Sequence, residues 1–155
     1  MKHKPIEEKV SIYLISSALI DEINYIYRPL LKEIEKNYND NYNPIRVLMP
    51  LIEIASKIEF GGNGHLLLEK LKVPKSEVAW KMFRHGLFHY LRPFYAVING
   101  KRINWAVPKY PCPHYETETS VGIYAPKLLD DLENYLKEVK DIPGEINIQT
   151  GIELF

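Results

Sequence analysis

Between Ile6 and Tyr38 a mainly apolar set, Val10, Tyr13, Leu14, Ser17, Ile20, Ile23, Tyr27, Leu30, Leu31 and Ile34, recurs at spacings of three and four. That period predicts one long amphipathic helix. Pro29 should kink or split it, because proline lacks an amide donor and crowds the preceding turn. A polar loop follows, with Asn37, Asn39, Asn41 and Asn43 and a single Asp40. Asn43-Pro44 then reads as a helix start. That helix is expected to run to about Glu59 with an interruption near Pro50, and Gly61-Gly62-Asn63-Gly64 to stop it. This glycine cluster lacks the Gly-Lys-Ser/Thr ending of a phosphate-binding loop and has no strand before it, so the helix-stop reading is preferred.

His65–Leu71 reads as a short helix. Ser76 is expected to cap another from Glu77 to about Leu91, closed by Pro93. Here the period changes. Residues 94–99 and 101–107 are β-rich runs around Asn99-Gly100, a strong hairpin signal. Pro108, Pro111 and Pro113 make the next stretch irregular, and Val121–Tyr124 could add a short strand. A last helix should run from Pro126 to about Lys140, with Leu128, Leu129, Leu132, Tyr135, Leu136 and Val139 as its apolar face. The tail from Ile146 to Phe155 alternates weakly, as a strand or a loose arm. The fold class expected from this pattern is all-α: one helical bundle over residues 1–155 with a small β-hairpin inserted at 94–107.

Composition places the chain among ordinary folded proteins: 155 residues, 46% apolar and 26% charged. No apolar run approaches the roughly 20 residues that cross a bilayer, and the N-terminal residues do not resemble a signal peptide. Cys112 is the only cysteine. It excludes an internal disulfide and fits a reducing, cytoplasmic setting.

Net charge is zero, with 20 basic and 20 acidic residues, but its distribution is uneven. Between Val78 and Tyr115 there is no Asp or Glu, while Lys81, Arg84, Arg92, Lys101, Arg102 and Lys109 all fall there. The remainder holds 14 basic residues against 20 acidic ones. A positive segment on a slightly acidic body suits an anionic ligand, or equally a solvated basic face.

Within that segment Arg84, His85 and His89 share one predicted helix. A guanidinium matches phosphate with a fork of donors, and an imidazole titrates near neutrality and can take and return a proton. Together they are minimal equipment for metal-free RNA cleavage, in which the 2′-hydroxyl attacks its own 3′-phosphate. Gly86 costs about 1 kcal/mol relative to alanine inside a helix. Close approach of another helix or of a ligand would give it a reason. The bland reading of the same residues is a helix whose Arg pairs with an acid elsewhere and whose His is satisfied by a carbonyl.

Arg84-His85-Gly86-Leu87-Phe88-His89 resembles the R-x4-6-H signature of HEPN domains. The resemblance covers at most Trp80 to Pro93. It implies a small helical bundle, a homodimer with the signature helices facing across a two-fold axis, and metal-independent endoribonuclease activity in toxin–antitoxin, phage-defence or RNA-processing systems. Other members of that family bind nucleotides without catalysis or pair with a nucleotidyltransferase, and a purely structural dimer or adaptor is a third reading of the chain. Carried over, Arg84 and His89 are the catalytic pair and His85 the auxiliary polar residue. Lys81, Arg92, Lys101 and Arg102 are the expected substrate-binding cations, with RNA as the partner and no cofactor or membrane.

Three alternatives stand beside this reading. His85, His89, Cys112 and His114 could form a Cys-His3 zinc set, although no close Cys-x2-Cys or His-Glu-x2-His unit supports it. Trp80, Phe83, Leu87 and Tyr90 form a stripe that is most simply a core face. Tyr95, Trp105, Tyr110 and Tyr115 could stack on bases or merely pack the hairpin against the helices.

Overall fold

The computed structural model describes all residues except 38–41, 88–91, 107 and 109–113. Its architecture is mixed α/β, which corrects the all-α expectation. Six strands in two sheets accompany the helices among the described residues.

The first departure lies at the N-terminus. His3–Ser11 is strand β1, paired antiparallel with β6 (Glu145–Leu154) in a two-stranded ribbon with a bulge at Ile6/Glu7. Lys2 and Phe155 exchange backbone hydrogen bonds at its far end, at 2.7 and 3.0 Å. The strand is almost wholly exposed, so burial leaves no alternating signature in its sequence. Ser11 converts strand to helix. Its backbone is still extended (ψ 145°), and its hydroxyl accepts from the Leu14 amide at 3.1 Å, satisfying a first-turn donor.

Helix α1 (Ile12–Glu22) passes through a π turn (Ile23–Tyr27) into α2 (Arg28–Asn37). The Arg28 amide donates to the Ile23 carbonyl, five residues back. Pro29 explains the widening. It has no N–H for the Tyr25 carbonyl and its ring crowds that group, and an i→i−5 turn relieves both. The long helix is bolted to the last one, α6 (Ala125–Val139). Arg28 reaches Asp130 at 2.6 Å and also binds Glu133, while Asn24 donates to Glu133 at 2.9 Å. Burial would raise the Glu133 pKa, but the hydrogen bonds from Asn24 and Arg28 outweigh it and hold the carboxyl below its ordinary range.

Helix α3 (Asn43–Ala55) runs through Pro50 without the expected interruption. It supplies the centre of the core with Ile45, Leu48, Leu51 and Ile52, each at most 2% exposed. Gly61 and Gly62, at φ +60° and +88°, take the left-handed conformations that end this segment. Short α4 (Gly64–Lys70) and α5 (Ser76–Trp80) follow. Ser76 lies inside α5, and the capping position falls to Lys75 in a left-handed conformation, another correction. All six apolar positions anticipated on α6 are buried.

The hairpin β2 (Ala96–Ile98) and β3 (Lys101–Ala106) forms around Asn99-Gly100, both at positive φ. It is not an isolated insertion. β3 also pairs in parallel with β5 (Ser120–Gly122), which pairs antiparallel with β4 (Tyr115–Glu116), giving the order β2-β3-β5-β4. No described helix is long and apolar enough to cross a membrane.

Candidate nucleic-acid interface

The helix carrying Arg84 begins as α5 and widens into a second π turn at Lys81–His85, followed by helical Gly86 and Leu87. Its cause is local. The Met82 carbonyl accepts from the Phe94 amide at 2.9 Å, and Gly86 turns instead to the Phe83 carbonyl. The chain returning through Arg92–Phe94 therefore takes over a bond that would close a normal helical turn.

Gly86 makes that return possible. A Cβ there would lie 2.3 Å from the Arg92 carbonyl oxygen, 2.5 Å from the Phe94 nitrogen and 2.7 Å from the Pro93 Cα. The close approach anticipated at Gly86 is thus made by its own chain rather than by a second helix. Ala79, Met82, Phe83 and Leu87 are buried beneath this segment and Trp80 is half-buried, so the described part of the aromatic stripe is core.

Arg84 and His85 stand on the other side. Arg84 Nη2 donates to both oxygens of Glu53, at 3.2 and 3.4 Å, and its side chain is 22% exposed. His85 is exposed. His89 lies outside the described residues, as do Tyr90, Tyr110 and Cys112. Glu53, 31 residues upstream, is the partner that sequence reasoning missed, since no motif links it to the Arg84 helix.

The four expected substrate-binding cations separate into distinct settings. Lys81 is exposed and pairs with Glu77 one turn back at 3.0 Å. Lys101 lies at the exposed hairpin tip. Arg92 and Arg102, ten residues apart in sequence, meet in one groove of about 830 Å³ with Phe94, Tyr95, Asn104 and Trp105. The Arg102 guanidinium lies over the Tyr95 ring, 3.9 Å from its centroid, and its Nε donates to Asn104 at 2.8 Å. Trp105 is backed by Tyr42, edge-on at 5.5 Å, and Arg46 sits 5.4 Å over the Tyr42 ring.

His114 belongs to neither group. It is buried, and its Nδ1 accepts from the Tyr124 amide at 2.9 Å. Burial, helped by Lys127 and opposed by Asp131, lowers its pKa to about 4. Among the described residues no group of three or more His, Cys, Asp and Glu is placed to hold a metal.

Comparison of the chain with models of protein families, with curated proteins and with solved structures finds no match.

Proposed function

We propose that this protein cleaves RNA without a metal, using Arg84 and His89 in the manner implied by the HEPN-like segment. His89 takes the proton of a 2′-hydroxyl, whose oxygen attacks the adjacent 3′-phosphate. Arg84 stabilises the charge gathering on the phosphorane, and His85 orients the pair. The bond to the 5′-oxygen then breaks, and His89 returns its proton to that leaving oxygen. The products are a 2′,3′-cyclic phosphate and a 5′-hydroxyl.

The supporting observation is the placement of Arg84. Its guanidinium is held by Glu53 at a solvent-reachable position, next in sequence to an exposed imidazole. The reading rests on the segment and not on the all-helical fold that the family resemblance implied. It includes a homodimer that pairs two Arg84 helices, and a single-chain mass by light scattering would remove that part.

The groove lined by Arg92 and Arg102 favours a second reading, a nucleotide- or anion-binding module without chemistry, since binding there does not depend on Arg84, whose charge Glu53 already answers. Incubation with RNA in EDTA separates the two. Under the first reading, cyclic-phosphate ends appear, His89→Ala abolishes them and Arg84→Ala slows them about 100- to 1000-fold. Binding without cleavage supports the module. Cleavage that survives His89→Ala, or that needs a metal, refutes the mechanism.

A further inference from the structure

The groove beside the Arg84 helix has the chemistry of a single-strand docking site. Arg92 and Arg102 line it, and among the described residues neither makes an ion pair. The whole stretch from Val78 to Tyr115 holds no acidic residue, so neither strand of the hairpin brings a carboxylate of its own. Among the described residues no carboxylate is paired with either arginine, and an anionic ligand would supply that charge.

The groove is also ordered before anything binds. Arg102 is fixed between the Tyr95 ring and the Asn104 side chain, so its flat guanidinium needs no further ordering to meet a phosphate. Trp105 is braced from behind by Tyr42. Phe94 and Tyr95 are 39% and 54% exposed, large rings that keep part of their apolar surface in solvent. Aromatic planes set between cations receive unstacked bases and their phosphates, whereas a duplex presents neither base face. An acidic peptide would satisfy the arginines and gain nothing from the rings' exposed surface.

We propose that this groove binds single-stranded RNA, with bases stacking on Tyr95 and Trp105 and phosphates contacting Arg92 and Arg102. The proposal rests on RNA being the ligand of the Arg84 segment and names where the flanking strand lies. Backbone contacts at Met82 and Gly86 hold the Arg92–Phe94 segment against that helix, so the two surfaces are mechanically one.

The test uses the full chain and a short, fully 2′-O-methylated oligoribonucleotide, which cannot be cleaved, followed by fluorescence anisotropy. Tyr95→Ala and Arg102→Ala, both at exposed positions, should each weaken binding about tenfold. Arg102→Ala should also flatten the logarithmic salt dependence by about 0.7. The proposal is overturned if the oligonucleotide does not bind, if both variants bind like the wild type, or if duplex RNA or poly-glutamate of equal charge binds as tightly. Because the probe has no 2′-hydroxyl, failure here with cleavage of ordinary RNA intact removes the groove alone. Binding here with no cleavage of ordinary RNA removes the chemistry alone.

Discussion

Replacing Gly86 by alanine tests how the Arg84 helix and the hairpin are joined. In an open helix the change would stabilise the protein by about 1 kcal/mol, because alanine loses less backbone freedom on folding. Here the new methyl group would meet three backbone atoms of residues 92–94 at 2.3–2.7 Å. Ordinary carbon contacts begin near 3.5 Å, so the two segments must part by roughly 1 Å. Backbone cannot swing aside as a flexible side chain does. Overpacking of this kind costs about 1–3 kcal/mol. Parting also stretches the 2.9 Å bond from Phe94 to Met82, worth about 1 kcal/mol. The clash wins, and the net expectation is a loss of about 1–3 kcal/mol. Urea unfolding should show a lower midpoint with an unchanged slope, and heating a fall of about 3 °C per kcal/mol lost. Arg92 should shift with its segment, so affinity for the uncleavable oligonucleotide should drop as well. A variant as stable as the wild type, or more so, would refute the packing argument and free Gly86 for an intermolecular role.

Two further outcomes follow from the charge placement. Glu53→Gln removes the carboxylate beside Arg84 and should raise RNA affinity about two- to fivefold, at a stability change below about 1 kcal/mol because the pair is partly exposed; unchanged affinity in an anisotropy titration would place RNA elsewhere. His114, with its folded-state pKa lowered to about 4, stays neutral while the unfolded chain takes up a proton below pH about 6.5. Its contribution is therefore complete above pH about 6.5 and is lost as pH falls from there toward 4, reaching about 2 kcal/mol by pH 5. His114→Asn keeps an acceptor for the Tyr124 amide and cannot titrate, so urea unfolding at pH 7.5 and pH 5 should show a smaller difference in the variant; an equal difference would show that His114 is not the group responsible.

Where a residue's environment is set by its near neighbours, the sequence was legible. The α6 stripe from Leu128 to Val139 is buried as its period demands. Asn99-Gly100 turns at positive φ because few other pairs accept it there. The β1–β6 ribbon was hidden for the opposite reason. Its strands lie at the two ends of the chain, are bound by backbone bonds, and are mostly exposed. Glu7-Glu8-Lys9 carries no period-two stripe, and the helical spacing of Tyr13 and Leu14 continues back to Val10 inside the strand. The parallel pairing of β3 with β5 is non-local too, and the three residues of β5 are too few to announce a sheet.

The candidate site divides along the same line. Arg84 was conspicuous because an arginine beside two histidines on a proline-closed helix is unusual chemistry. Its contact with Glu53 depends on how α3 crosses that helix, and no spacing within either segment encodes the crossing. Charge patterning was more informative than the motif. An acid-free stretch of this length means that its arginines cannot be neutralised from within, and a hairpin inside it folds some of them back onto their own aromatic neighbours. Arg92 and Arg102 meet for that reason. Gly86 lets the hairpin leave the helix at contact distance, and the π turn at Lys81–His85 accommodates the bond that holds it there. One glycine therefore couples the groove to Arg84, and a change at Gly86 should perturb binding in the groove and the geometry of Arg84 together.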